Sequence, residues 1–200
     1  MKFLGLQPTS APAPSAPLAG LPFAMIYGGV SFAVVSVLAY SIWAFRLVPG
    51  AAGLYSSTAV VYLGLGGLAL SRLVAKPGST GRFALLFALG FLAYAVCWCV
   101  FWFGLKGKYY ADFWGALVGA AAMTAMIRSA FGSQSGFWSI FLWMFVCHSD
   151  GYYLGGELHA AVRGASGRLL WGAGHGLGFG AGLGYVLIRC QTPAKLPSSA

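Results

Sequence analysis

Three histidines and two of the three acidic residues of this chain fall in one short stretch: His148, Asp150, Glu157, His159 and His175. Imidazole and carboxylate side chains exchange protons near neutral pH and ligate metal ions, so this stretch holds most of the chain's capacity for chemistry. Its spacing limits what that chemistry is. On a helix, His148 and His159 share a face, about 20° apart in azimuth, but stand about 16 Å apart along the axis. Metal–ligand bonds are about 2 Å, so one ion cannot join them and no metal site is expected. Asp150 and Glu157 share the opposite face, about 10 Å apart. Convergence of these groups would need a break at Gly151, Gly155 or Gly156, which is tolerated only where broken helices line a cavity.

The segment after these residues adds a partner at matching depth. If the fifth apolar run ends near Glu157 and the sixth enters from the same side at Leu169, Asp150 lies about 10 Å deep and His175 about 9 Å. An Asp150–His175 pair is therefore expected inside the bundle, with His148 as the second candidate. If the fifth segment continues to Val162, Glu157 takes the place of Asp150. Glu157 and His159, near the segment's exit, have the simpler alternative of lying in interfacial water. A charge held at mid-membrane costs about 2.5–3.5 kcal/mol, so such groups mark a proton or substrate site.

His175 itself stands in a glycine ladder. Gly172, Gly176, Gly180 and Gly184 form one four-spaced row, and Gly174, Gly178 and Gly182 a second on the other side of the helix. Small residues at this spacing let helix backbones approach closely in lipid, so the sixth segment is expected to sit between two neighbours. The bare surface beside His175 would also suit a flat macrocycle, haem or chlorin, ligated by imidazole. No cofactor is named by the sequence.

Gly164-Ala165-Ser166-Gly167 and His175-x-x-Gly178-x-x-x-Gly182 resemble the nucleophile and histidine motifs of rhomboid intramembrane proteases. That family carries the two motifs on helices separated by another span. Here eight residues separate Ser166 from His175, and Ser166 is expected in the loop before segment six. The architecture implied by the resemblance is therefore not the architecture of this chain.

The elements that must position these residues are membrane helices. Apolar residues make up 59% and charged residues 8% of the chain, against about a quarter charged in a soluble domain. A span needs roughly 20 apolar residues. Runs over 21–45, 51–73, 83–105, 113–127, 137–154 and 169–188 give an all-α, polytopic integral membrane helix bundle of about six transmembrane helices. The fourth is short unless it begins near Tyr109. The domain is read as residues 21–190, preceded by a Pro/Ala/Ser-rich, disordered arm over 1–20 and followed by a flexible tail over 191–200. Trp43, Trp102, Trp114, Trp138 and Trp171 fall near segment ends, where the amphipathic ring favours the interface.

Net charge is +9, but Arg46, Arg72, Arg82, Lys106, Arg128, Arg163 and Arg189 stand singly at the ends of apolar runs. That pattern anchors helices at lipid headgroups and excludes a nucleic-acid stripe. Lys2, Arg72, Lys76, Arg82, Arg128, Arg189 and Lys195 fall on the side of both termini, seven against five on the other, which favours cytoplasmic termini in an inner or plasma membrane. Cys97, Cys99, Cys147 and Cys190 have no chelating spacing and read as apolar filler. The expected partners are the bilayer and helices packing within it, from another copy or another protein. Three functions fit: a small transporter or channel with the His/Asp site; a non-catalytic subunit of a larger membrane complex; and a lipid-phase enzyme or cofactor-bearing redox protein.

Overall fold

The structure, a computed structural model, describes residues 4–6, 20–76 and 78–192. It is an all-α membrane helix bundle: α1 (Leu21–Ala44), α2 (Gly50–Leu70), α3 (Thr80–Gly104), α4 (Ala111–Phe131), α5 (Phe137–Val162) and α6 (Gly164–Gln191). Among the described residues, four helices (the first four in chain order) are long and apolar enough to cross a membrane. The last two are longer, 26 and 28 residues, but are less apolar because one carries the polar cluster and the other the glycines. Chain direction alternates, so α1 begins and α6 ends at one end of the bundle. At that end the Gln191 amide accepts from the Ala75 N–H at 2.8 Å and donates to the Leu73 carbonyl at 2.9 Å.

Several boundaries differ from the apolar runs. The fourth helix gains its length at the far end, reaching Phe131 rather than Ile127, and starts only after Tyr109 and Tyr110, both left-handed at φ 56°. The fifth continues to Val162, and the sixth starts at Gly164 rather than Leu169, so Ser166 lies within its first turn. Hydropathy ends a segment where polarity begins; the backbone continues because hydrogen bonding along a helix is indifferent to side-chain polarity. The fifth helix is unbroken at Gly151, Gly155 and Gly156. Most of the arm and tail lies outside the described residues. Leu4 and Leu6 are buried in the core cluster, and Gly5 between them accepts a hydrogen bond from Lys76 Nζ at 2.7 Å.

α6 is the central helix. Its Gly172, Gly176, Gly180 and Gly184 row lies against Ser36/Tyr40, Ala33, Gly28 and Ala24 of α1. The second row, Gly174, Gly178 and Gly182, lies against Gly151/Gly155, Cys147 and Met144 of α5. Gly151 and Gly155 therefore serve close helix approach. The same pairing carries depth from one helix to another: Ala33 is midway along α1, Gly176 lies on it, and Gly151 lies on Gly174 and Gly178. Residues 148–151 are thus level with the middle of a membrane-spanning helix.

The turn between α5 and α6 is a single residue, Arg163, at φ 58° and ψ −175°. That conformation is essentially restricted to glycine and costs another residue about 1–3 kcal/mol. Arg163→Gly is expected to raise the stability of the purified protein by about 1 kcal/mol, seen as a higher unfolding midpoint in detergent. An unchanged or lower midpoint would mean that the Arg163 side chain offsets the backbone cost.

Candidate functional site: a buried histidine pair

The inward stripe of α5 runs Met144, His148, Tyr152, Gly155, His159, in steps of four, four, three and four. The facing stripe of α6 runs Arg168, Trp171, His175, Phe179. Because the glycine rows bring the two backbones close, the rings of these stripes touch: His148 and Tyr152 meet His175 edge to face, Tyr152 meets Trp171 at a tilt, and His159 stacks on Trp171. His148 and His175 are 1% and 8% exposed, with centroids 5.3 Å apart and planes at 88°. Tyr94 of α3 closes the far side, its hydroxyl 2.7 Å from His148 Nε2. Tyr152 packs on both imidazoles, and Tyr40 and Tyr62 stand at the edge of His175, Tyr62 tied to Ser36 at 2.7 Å.

The polar atoms of this region are short of partners. Seven buried side-chain nitrogens and oxygens among the described residues make no hydrogen bond. Six of them belong to one column: His148 Nδ1, both nitrogens of His175, Trp171 Nε1, His159 Nδ1 and Arg168 Nε. The seventh is Thr124 Oγ1 on α4. Buried polar groups are normally satisfied, and each exception costs about 1–3 kcal/mol. Concentration in one column makes that column the candidate site. No family model matches the chain, nor does any curated protein or solved structure. The site must therefore be read from its own geometry.

The column has two unlike ends. Toward the end where the termini lie, Phe179 contacts both imidazoles at 5.1 and 5.8 Å and stacks on Phe32, with Phe91 and Phe87 behind. These four aromatic rings are buried and carry no polar atom. Toward the α5–α6 turn the rings are polar. Tyr152 meets Trp171 at 5.4 Å, Trp171 stacks on His159 at 5.5 Å, and His159 meets Trp43 at 5.4 Å. Arg168 lies over Trp43, 4.7 Å from the ring centroid, and donates to the Trp43 carbonyl at 3.1 Å. A surface cleft lined by Ile42, Trp43, Arg46, Pro49 and Leu54 opens beside that tryptophan.

The carboxylates lie elsewhere. Asp150 and Glu157 are both exposed on the outer stripe of α5, and neither makes a hydrogen bond to the site. The expected Asp150–His175 pair does not form. The reason is azimuth: Asp150 is two residues from His148, about 200° around the helix, so a fifth helix that turns its histidine inward turns its acid out. Extension of α5 to Val162 brings Glu157 no closer, for the same reason. His159, by contrast, is turned inward onto tryptophan rather than into interfacial water. His148 and His175 pack directly on one another and share Phe179. No three His, Cys, Asp or Glu side chains converge on one point among the described residues.

Tyr94, Tyr152, Tyr62, Tyr40 and Phe179 were not singled out by the sequence reading. The signal for Tyr152 and Phe179 was present: each follows a histidine by four residues, on its face. Tyr94 stands deep in an apolar span, where a phenol needs a buried partner.

Proposed function

We propose that the chain is a small membrane transporter or channel, with the His148–His175 pair as its proton or substrate site. One observation carries this reading: among the described residues, six of the seven unpartnered buried side-chain polar atoms form a single column that joins mid-bundle to the α5–α6 turn. A purely structural core would gain by replacing such atoms with apolar ones, so their retention in one file supports use by a proton or a small polar solute. Neutral imidazole offers one donor and one acceptor nitrogen, and two rings in contact can accept a proton at one and release it from the other. The polar rings from His159 to Tyr152 support access from the turn side. Phe32, Phe87, Phe91 and Phe179 act as the closed gate on the other side, and passage requires them to move. In this reading both termini face the cytoplasm of an inner or plasma membrane, the site opens outward, and the gate faces inward.

Vesicles holding a pH-sensitive dye, under a potassium diffusion potential, test the proton version. Wild-type protein is expected to equilibrate protons faster than empty vesicles do. His175→Phe, which keeps a ring of similar shape, is expected to slow this at least about tenfold while the protein stays monodisperse. A wild-type rate equal to that of empty vesicles under both polarities would remove the proton reading. The alternative, a non-catalytic subunit of a larger membrane complex, draws on a separate observation, the outward carboxylate of Asp150.

A further inference from the structure

Asp150 is exposed on the outer face of α5 at a level set by two helix contacts: its neighbour Gly151 packs on Gly174 and Gly178, and Gly176 between those packs on Ala33, midway along α1. The surrounding outer stripe is apolar, with Val146 and Leu154 exposed a turn to either side. Glu157 shares the stripe but lies near the turn end, level with Trp171, where its carboxylate reaches headgroups and water. Asp150 has no such exit. An aspartate side chain is too short to reach an interface from mid-bundle, and acids inside a membrane pair with a partner group or line a cavity.

We propose that this face of α5 docks a transmembrane helix of another protein, one carrying a Lys or Arg side chain at mid-bilayer opposite Asp150. The class of partner follows from charge. Every described Lys and Arg of this chain lies in a connection or within about a turn of a helix end, so none reaches the level of Asp150. The described residues of a second copy therefore bring no cation to it, and a two-fold arrangement through this face sets acid against acid. A partner helix with a central cation offsets both buried charges at once, and the exposed apolar residues above and below supply the packing surface.

The test uses the full chain in phosphatidylcholine vesicles, with a donor dye on a C-terminal tag and acceptor-labelled synthetic helices. The probes are a polyleucine transmembrane peptide with one central Lys, the same peptide with the Lys moved two turns toward an end, and one without Lys. The central-Lys peptide is expected to associate at least about tenfold more tightly than either of the others. Asp150→Asn is expected to abolish that preference, and Glu157→Gln to leave it. Equal association of all three peptides would overturn the proposal, as would a preference that survives in Asp150→Asn. Asp150-dependent energy transfer between donor- and acceptor-tagged copies of the chain itself would assign the face to a second copy and overturn it as well.

Discussion

Gly176→Leu and Gly180→Leu are each expected to abolish the folded bundle, whereas Leu177→Ala between them leaves it intact. A Cβ at Gly176 would lie 2.5 Å from Ala33 Cα, 2.6 Å from Ser36 Cβ and 2.9 Å from the Phe32 carbonyl. At Gly180 it would meet the Gly28 carbonyl and, at 2.6 Å, Phe32 Cβ. These neighbours are backbone or Cβ atoms of α1, which no rotamer change moves. Leucine adds three more carbons at each point. Overpacking a close core typically costs about 1–3 kcal/mol, more where the backbone itself must shift. Here the shift has nowhere to go, because Gly174, Gly178 and Gly182 hold the opposite side of α6 against α5. Leu177 is 47% exposed, and its truncation opens no buried cavity. Size-exclusion profiles and unfolding midpoints in mild detergent would show the contrast. A Gly176→Leu protein as stable as wild type would mean that α1 and α6 do not cross this closely in the native bundle.

Those glycine rows were legible in the sequence because period and chemistry coincide: only four-spaced small residues allow backbone contact, and few other uses of such a ladder exist in an apolar segment. Helix existence was legible for a similar reason, since a run of apolar residues of span length has few alternatives. What hydropathy could not supply was where polar helices stop. The chain from Gly155 to Arg168 holds Glu157, His159, Arg163 and Arg168, and reads as an exit and a loop; the structure has two helices meeting at one residue. The site was legible to its histidines and no further. His148 and His159 sharing a face follows from helix geometry alone. Pairing Asp150 with His175 rested on matched depth, and depth says nothing about azimuth. Counting residues from His148 to Asp150 would have sent the acid outward once the histidine was placed inward. The contribution of Tyr94 lies on a helix more than fifty residues earlier, and no local pattern connects it to His148.

That contact supplies the sharpest separation of a functional histidine pair from a structural one. Tyr94→Phe removes the hydroxyl that lies 2.7 Å from His148 Nε2 and leaves His148 with neither nitrogen partnered. His148→Phe does the converse, leaving a phenol hydroxyl buried without its acceptor. Each single substitution is expected to lower stability by about 1 kcal/mol, the upper part of the range for hydrogen bonds inside membrane bundles. The double substitution strands no polar group at this contact and keeps two aromatic rings against Phe179, so most of the lost stability should return. Proton flux is expected to behave oppositely. Tyr94→Phe keeps both imidazoles and retains partial flux; the double variant, with half of the pair gone, falls to the level of empty vesicles although its fold has recovered. Stability and transport moving in opposite directions across one cycle is a signature that a packing role cannot produce. If flux recovered together with stability in the double variant, His148 would be a core residue bonded to tyrosine, and the translocation path would have to pass it by.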